Sequence, residues 1–346
     1  MNIYQTPTGE FELGDFHAKK SRDWTTLTWI INHQCNVGCP YCIGWKDLTP
    51  TPTVMDQLGG VANTVAHFEK LRNYLKKNIY IIFSGGEPTL IPNLPQLFVE
   101  LGSRGFLLEL QTNATTPQFG TWISQVPPAY VGQIIATYHG WLLDNDMAYQ
   151  NAYTANFKEA VRMGHTCVLK IVVMPHEVAD LPNKIEIMKS RIGNNVPILP
   201  WVFIKNVPKS TQEHGGAYPQ AYTEEQKRVL FSTMYYRRTP QQVYCKGAGF
   251  FQGMHCAAGY EHSYIDPNGG MFPCYGLGQE QYKVGNLITN QYNFRDSPIV
   301  CPRPYCGSVL CALWFGVNPW NFIPGATQQE AYYCRFGPTC SLNKVG

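Results

Sequence analysis

The sequence predicts an α/β protein with a parallel sheet, followed by an irregular part rich in cysteine. Two observations support this. In residues 24–205, short runs of β-branched and aromatic residues alternate with stretches of helical periodicity. The alternation then stops, and eight of the twelve cysteines lie at or beyond Cys245. We therefore expect an N-terminal segment (1–23), an α/β domain (24–205) and a cysteine-rich tail (206–346).

Six strands are predicted in the α/β domain, over 24–31, 79–83, 106–110, 131–138, 166–174 and 196–204. Helices are predicted over 54–75, 94–104, 148–163 and 177–192, with one more in the tail over 223–237. The first begins at Thr53 and Asp56, which fit a capping box. Strands that alternate with helices indicate right-handed crossovers between parallel strands. A doubly wound sheet and a partial barrel both fit, and in each the reactive groups lie beyond the carboxyl ends of the strands.

Composition excludes several classes of protein. There is no apolar run of about 18 residues, and no basic-then-apolar pattern at the N-terminus, so we expect no membrane span, no secretory signal and a cytoplasmic location. The net charge of +3, from 27 basic and 24 acidic residues without a basic block, disfavours a nucleic-acid binder. Clustered cysteines in a cytosolic chain indicate metal, with zinc and iron–sulfur clusters as the candidates.

Three cysteines follow the first strand closely: Cys35, Cys39 and Cys42. Three thiolates leave one iron of a [4Fe–4S] cube open to a small molecule. Structural zinc takes four ligands, and no fourth cysteine or histidine has ordinary finger spacing. From these residues alone, a cluster, a zinc site and three free thiols all remain open.

The Cys-x3-Cys-x2-Cys spacing, with Tyr41 before the last cysteine, resembles the signature of the radical S-adenosylmethionine (SAM) superfamily. Residues 84–90, Ser-Gly-Gly-Glu-Pro-Thr-Leu, follow the second strand and resemble the family's GGEP motif. Residues 111–113, Gln-Thr-Asn, follow the third strand and resemble its TN(G) element, with Ala114 in place of glycine. The resemblance covers about residues 24–205 and implies a partial (β/α)6 TIM-type barrel.

The resemblance also implies roles for these motifs. The three cysteines would hold a [4Fe–4S] cluster whose open iron takes the amino and carboxylate groups of SAM. Gly85 and Gly86 would let the backbone approach SAM, Glu87 would hold that loop, and Tyr41 would face adenine. The full set of expected SAM-binding residues is Tyr41, Gly85, Gly86, Glu87, Pro88, Thr112, Asn113 and Thr137. The alternative for residues 84–90 is an ordinary strand-to-helix turn.

The tail carries eight cysteines, enough for two four-cysteine clusters. Residues 266–270 predict a hairpin turn, and the Gly269-x4-Cys274 spacing resembles the start of the SPASM/twitch extensions, which hold auxiliary iron–sulfur clusters. The resemblance implies one or two auxiliary clusters, although the later cysteine spacing departs from the usual pattern, and zinc is the alternative. The candidate ligands are Cys245, Cys256, Cys274, Cys301, Cys306, Cys311, Cys334 and Cys340.

Two further residues are candidate catalytic groups. His139 ends the fourth strand, where it would contact substrate or move a proton, or else be a loop histidine held by hydrogen bonds. Lys170 lies within an apolar strand and shares a face with Val168. A buried lysine is rarely unpaired, so its partner would be a carboxylate of SAM, of substrate or of the core. Cys167 would point to the opposite face, toward the helices.

The chemistry implied by the resemblance is reductive cleavage of SAM to methionine and a 5′-deoxyadenosyl radical, which abstracts a substrate hydrogen. The protein would supply positioning and exclude water. The substrate expected first is a ribosomal peptide that is oxidised or cross-linked. The alternative is a dehydrogenase, dehydratase or epimerase of a sugar or amino acid derivative, and a non-catalytic zinc or iron–sulfur scaffold is a different class. An external one-electron donor, such as flavodoxin or ferredoxin, would be needed.

Overall fold

The computed structural model describes residues 2–6, 9–13, 24–39, 41–42, 52–203, 221–233, 255–256, 258–297 and 299–300. The strands are β1 (Asn2–Thr6), β2 (Gly9–Leu13), β3 (Trp24–Asn32), β4 (Asn78–Gly85), β5 (Leu107–Thr112), β6 (Val131–Tyr138), β7 (Cys167–Val173), β8 (Ile198–Val202), β9 (His255–Cys256), β10 (His262–Ile265), β11 (Gly270–Phe272), β12 (Gly285–Asn286), β13 (Gln291–Tyr292) and β14 (Ile299–Val300). The helices are α1 (Val54–Gln57), α2 (Val61–Leu75), α3 (Leu94–Ser103), α4 (Pro117–Gln125), α5 (Gly140–Leu143), α6 (Met147–Arg162), α7 (Leu181–Ile192) and α8 (Glu224–Thr233).

Strands β3 to β8 lie side by side in chain order, and each pairs in parallel with the next. Helices connect successive strands, as expected of right-handed crossovers. The predicted fold class, a parallel α/β sheet consistent with a partial TIM-type barrel, is confirmed. The carboxyl ends of the strands therefore meet at one end of the sheet.

The sheet continues beyond β3 into the tail. Strand β10 pairs in parallel with β3, with His262 opposite Thr26, and β11 to β13 follow in antiparallel pairs. The hairpin predicted at residues 266–270 is confirmed, because β10 and β11 pair with Tyr264 opposite Phe272. Part of the tail thus extends the sheet of the α/β domain.

Two predicted helices differ from the observed ones, and the helices α4 and α5 were not predicted. Residues 54–75 form two helices because Gly59 and Gly60 take positive φ angles of 77° and 116° between them. The helix predicted from residue 177 starts at Leu181, after a 3-10 turn. Helix α4 has no counterpart in the prediction, although a Thr-Pro start precedes it and the Thr116 hydroxyl accepts from the backbone N–H of Phe119 at 3.1 Å.

The two faces of the sheet differ in polarity. The face toward the helices is apolar: the Phe83 ring on β4 lies 5.4 Å from Trp29 and 4.3 Å from Phe98 of α3. The opposite face, here called the inner face, carries buried polar side chains such as Tyr80, Glu109 and Gln133. Polar groups placed there are out of water and need hydrogen-bond partners.

No helix within the described ranges is both long enough and apolar enough to cross a membrane.

His165 provides a test of the packing beside β7. It is 5% exposed, its ring lies 5.3 Å from that of Trp122, and burial lowers its pKa. A histidine whose pKa falls on folding contributes stability above its unfolded pKa of about 6.5, and this stability is lost as the pH falls below that value. We expect His165→Leu to flatten the acid-side decline in the free energy of unfolding, by at most about 1.4 kcal/mol per pH unit.

The measurement is urea denaturation between pH 5 and 8, with His176→Leu at an exposed position as the matched control. Equal slopes for wild type and His165→Leu would contradict the predicted proton uptake on unfolding.

Candidate active site

The loop after β3 carries the three cysteines. Cys39 is buried, and Cys35 and Cys42 are half-buried. The Cys35 sulfur accepts from the backbone N–H of Val37 at 3.4 Å. Burial raises the pKa of the Cys35 thiol, and the charges of Glu87 and Cys42 add to this effect. A bare thiolate is therefore disfavoured at this position, and a bound metal group would supply the missing positive charge.

The turn after β4 lies directly against this loop. The N–H of Gly86 donates to the Asn32 carbonyl at 2.9 Å, and the N–H of Glu87 donates to the Gln34 carbonyl at 2.7 Å. A Cβ on Gly86 would lie 2.0 Å from the Gln34 oxygen, and Gly85 has a φ of +137°. Only glycine fits both positions. The structure thus adds a second reason for the two glycines: the turn touches the chain that leads to Cys35.

Glu87 joins the second motif to the third. Its side chain is 1% exposed. One carboxylate oxygen accepts from the N–H of Thr89 at 3.1 Å and from the Thr112 hydroxyl at 2.7 Å, and the other accepts from the N–H of Asn113 at 2.7 Å. Burial raises the pKa of Glu87, whereas these hydrogen bonds lower it. The carboxylate therefore holds the ends of β4 and β5 together.

Asn113 extends this network to the cysteine loop. Its side-chain amide donates to Asn36 Oδ1 at 2.8 Å and lies 3.9 Å from the Cys35 sulfur. The next residue, Ala114, has a left-handed φ of 55°. This explains why the resembling motif carries glycine here, since alanine in that conformation costs about 1–2 kcal/mol. One chain of hydrogen bonds thus links all three sequence motifs.

His139, the last residue before α5, also reaches the cysteine loop. Its Nδ1 lies 2.8 Å from the Tyr41 hydroxyl and 3.2 Å from the Cys39 sulfur. The structure therefore brings two predicted site residues, Tyr41 and His139, into contact beside a candidate cluster ligand.

Lys170 lies on the inner face of β7, opposite Thr137 of β6. Its Nζ is 4.8 Å from the centre of the Trp201 ring. Burial lowers its pKa to about 8, and the charge of Glu109 opposes that shift. It makes no hydrogen bond or ion pair with any residue in the described part of the chain. The ammonium thus lies where an anionic group of a ligand would stabilise it.

A buried polar cluster on the inner face was not predicted from the sequence. The Glu109 carboxylate accepts from the Tyr80 hydroxyl, from Gln133 Nε2 at 2.6 Å and from Gln111 Nε2 at 2.9 Å. Ser84 donates to Gln111 Oε1 at 3.3 Å. The available signal was the alternation of polar and apolar residues along β5, where Glu109 and Gln111 interrupt a leucine run at a period of two.

Of the eight predicted tail ligands, Cys256 and Cys274 lie among the described residues. Cys274 is half-buried and precedes a 3-10 turn, Tyr275–Leu277. Cys256 lies in β9, which pairs with β14. The other six candidate ligands lie outside the described residues: Cys245, Cys301, Cys306, Cys311, Cys334 and Cys340.

The described residues contain no group of three or more His, Cys, Asp or Glu side chains arranged to hold a single metal ion. The ligands of a [4Fe–4S] cube each bind a different iron, so they do not meet at one point. The three thiols of the loop after β3 are the residues there that could hold such a cluster.

Comparison with known proteins agrees with this geometry. The model of the radical SAM superfamily matches residues 29–127, which contain all three motifs. Residues 29–127 therefore match a radical SAM domain.

A curated protein similar to part of this chain is the 7-carboxy-7-deazaguanine synthase of Haemophilus influenzae. It is 34% identical over 80 residues, which are 23% of this chain. The chain spans only about a third of that relative, 32% of its length.

Two solved structures share the fold. A structure of anSMEcpe with bound AdoMet and the Kp18Cys peptide has a TM-score of 0.55 and 12% identity, and covers 77% of this chain and 78% of its own. Streptococcus suis SuiB bound to its precursor peptide SuiA has a TM-score of 0.51 and 13% identity, and covers 90% of this chain and 70% of its own. At 12% and 13% sequence identity, the similarity to these two structures shows a shared fold.

Glu87→Gln tests the link between the motifs. In the variant, the NH₂ group of glutamine replaces one of the two acceptor oxygens of Glu87. It would face the backbone N–H and hydroxyl groups that now donate to Glu87, so at least one buried donor would lose its acceptor. We expect the free energy of unfolding to fall by about 1–3 kcal/mol. Urea denaturation measures this, with Glu159→Gln as the control, because Glu159 forms an ion pair with Arg162 on the surface of α6. Equal losses in both variants would contradict the role of Glu87.

Proposed function

We propose that Cys35, Cys39 and Cys42 hold a [4Fe–4S] cluster and that the enzyme cleaves SAM reductively. The observation that carries this proposal is the hydrogen-bond chain that links Glu87, Asn113 and the cysteine loop at one end of the sheet. When bound, the cluster would supply the electron that converts SAM to methionine and a 5′-deoxyadenosyl radical, which abstracts a hydrogen atom from the substrate.

The turn after β4 would bind the amino group of SAM. The N–H groups of Gly86 and Glu87 already donate to the chain that follows β3. The Glu87 and Pro88 carbonyls already accept from Asn32 Nδ2 and from the N–H groups of Leu90 and Ile91. We therefore assign the carbonyl oxygens of Gly85 and Gly86 as acceptors for that amino group. Thr112 and Asn113 support this turn through Glu87, and Tyr41 and Thr137 are assigned to the adenosine and methionine parts of SAM. Excluding water from this pocket protects the radical from side reactions.

Lys170 would bind a carboxylate. Its ammonium sits on the inner face beside an aromatic ring and has no acceptor among the described residues. The carboxylate of SAM and a carboxylate of the substrate share the required chemistry. Lys170 would thus position whichever anion faces the reacting end of the barrel.

For the substrate, we propose a peptide that is oxidised or cross-linked. Support comes from the two structural neighbours that are described with peptides bound, Kp18Cys for anSMEcpe and SuiA for SuiB. The tail cysteines would hold one or two auxiliary iron–sulfur clusters, which would serve as electron acceptors. An external donor such as flavodoxin or ferredoxin, and a cytoplasmic location, complete the proposal.

A small polar molecule is the second candidate substrate. The buried polar cluster around Glu109 faces the inner side of the barrel, and the curated relative is named for a small-molecule product.

Replacing all three loop cysteines tests the cluster site. After anaerobic reconstitution with iron and sulfide, Cys35→Ala/Cys39→Ala/Cys42→Ala should form no 5′-deoxyadenosine from SAM in the presence of dithionite. Wild-type protein should form it. Unchanged cleavage in the variant would contradict ligation by these cysteines.

The same triple variant reports on the tail. Because each cube holds about four irons, the iron that remains should be near four or eight atoms per chain. Cys167→Ala is the matched control, since the Cys167 thiol is buried and its pKa is raised to about 12 by burial. It should keep both full iron content and SAM cleavage. Stoichiometric zinc without sulfide in anaerobically prepared protein would favour the scaffold alternative.

Lys170→Met keeps most of the side-chain length and removes the charge. Since a hydrogen bond to a charged group contributes about 1.5–3 kcal/mol, SAM or substrate should bind roughly tenfold more weakly or worse, with iron content unchanged. Equilibrium binding of SAM separates the two sources of the carboxylate, because only a SAM contact alters it in the absence of substrate. Lys158→Met, at an exposed position of α6, is the control. If Lys170→Met keeps native binding and turnover, Lys170 does not bind the carboxylate and its role is structural.

A further inference from the structure

We propose that Gln111 is a substrate-binding residue, whose side chain forms hydrogen bonds with an amide group of the substrate. The observation that carries this inference is the fixed orientation of the Gln111 carboxamide on the inner face, with part of its hydrogen-bonding capacity left for a ligand. The inference rests on the proposed function, in which Lys170 binds a carboxylate. Together the two residues select an amide joined by a short linker to a carboxylate, as an acidic residue of a peptide provides.

The orientation of the Gln111 carboxamide follows from its neighbours. Its Nε2 lies 2.9 Å from Glu109 Oε1, and because a carboxylate oxygen can only accept, the NH₂ group must face Glu109. The carbonyl oxygen then lies toward Ser84, whose hydroxyl donates to Oε1 at 3.3 Å. A flipped carboxamide would set its oxygen against the Glu109 carboxylate and lose the hydrogen bond there. The fold therefore determines which end of the carboxamide donates and which accepts.

This arrangement leaves hydrogen-bonding capacity for a ligand. A carboxamide has two N–H donors and two acceptor lone pairs, and contacts within the described part of the chain use one of each. Gln111 is half-buried, whereas Glu109 and Gln133 beside it are buried. Gln111 is therefore the glutamine of this polar group that a ligand on the inner face can reach.

Gln111 also lies near the reacting end of the barrel. It is the first residue of the third sequence motif, Gln-Thr-Asn, and it pairs with Ile135 of β6. Lys170 of β7 pairs with Thr137, two residues further along β6 on the same inner face. Gln111 and Lys170 are thus two strands apart, which is about 10 Å across the sheet. Both have long side chains on the inside of the barrel, so one small ligand group can contact both.

An amide fits Gln111 better than other neutral groups do. The N–H and C=O of an amide are spaced like those of the glutamine side chain, so each finds its counterpart. An ester has nearly the same shape but no N–H, and it would leave the free lone pair of Gln111 Oε1 without a donor. A site built to form a hydrogen bond discriminates against a ligand that lacks the matching group. The ratio of amide to ester binding therefore reports on Gln111.

The test compares amide and ester probes of matched shape. The pairs are N-acetylglycine with O-acetylglycolate, and N-acetyl-β-alanine with β-acetoxypropionate. Binding to the full, anaerobically reconstituted chain is measured by ligand-observed NMR, with and without SAM. Wild type should bind the better amide about 2- to 10-fold more tightly than its ester, which corresponds to one hydrogen bond. Gln111→Met should bind both members of the pair equally, whereas Gln125→Met, at an exposed position of α4, should keep the wild-type ratio.

The outcomes separate this inference from the proposal on which it rests. Equal binding of amide and ester by wild type overturns the role of Gln111, and so does the absence of binding by both amides. This comparison needs no variant, so it holds even if Gln111→Met fails to fold. An unchanged ratio in folded Gln111→Met also overturns it. Lys170→Met should weaken both members of a pair and leave their ratio unchanged, and native binding there would overturn the carboxylate contact alone. Since the probes require no SAM cleavage, failure of the proposed radical chemistry would leave these measurements unaffected.

A further probe tests whether the acid belongs to a peptide. N-acetylaspartate α-N-methylamide contains N-acetyl-β-alanine within it and adds the amide that would continue a peptide chain. We expect it to bind more tightly than N-acetyl-β-alanine, because the open end of the barrel admits the added group. The reverse order overturns the assignment to a peptide residue and favours a free small acid that carries an amide.

Discussion

The buried carboxylate of Glu87 is the interaction on which the rest of the candidate site depends. It receives hydrogen bonds from both of its neighbours in the site, the turn after β4 and the end of β5. A carboxylate in so little water is costly unless its oxygens are fully paired, and here the pairing donors are mostly backbone N–H and hydroxyl groups. Any shift of one strand end relative to the other would break these bonds, so the geometry of the site is tied to the folding of the sheet.

The inner face of the sheet divides into two levels. Near the carboxyl ends lie Thr137, Lys170 and the motif residues, while deeper in the barrel Glu109 collects donors from three strands. The polar groups of the deeper cluster form hydrogen bonds with one another, which stabilises them away from water. Lys170 lies nearer the carboxyl ends of the strands than this cluster does. The charge of Glu109 stabilises its ammonium only in part against the cost of burial. The remaining stabilisation is available to a ligand.

Much of the fold followed from periodicity, because each strand of the barrel carries an apolar face and each crossover helix presents one apolar stripe. Helix boundaries were less predictable. The break at Gly59 and Gly60 depends on backbone angles that the apolar spacing does not encode. Helix α4 was missed although its Thr-Pro start carries a recognisable cap. In the site, the motifs identified the right strand ends, but the spacing of residues along the chain could not show that Glu87 links them or that Glu109 gathers partners from β4, β5 and β6. Such contacts depend on the register between strands, which is set only in the folded sheet.

Strand β3 is the first strand of the barrel to leave the ribosome, and one of its two edges pairs with β10, more than two hundred residues later. Until residue 265 has been synthesised, that edge exposes unpaired N–H and C=O groups. Contacts of such long sequence separation are slow to form, since the chain between them must first be ordered. The loop that carries Cys35 therefore stays attached to a half-paired strand until residue 265 has been made, because only β10 completes the pairing of the strand on which the first motif stands.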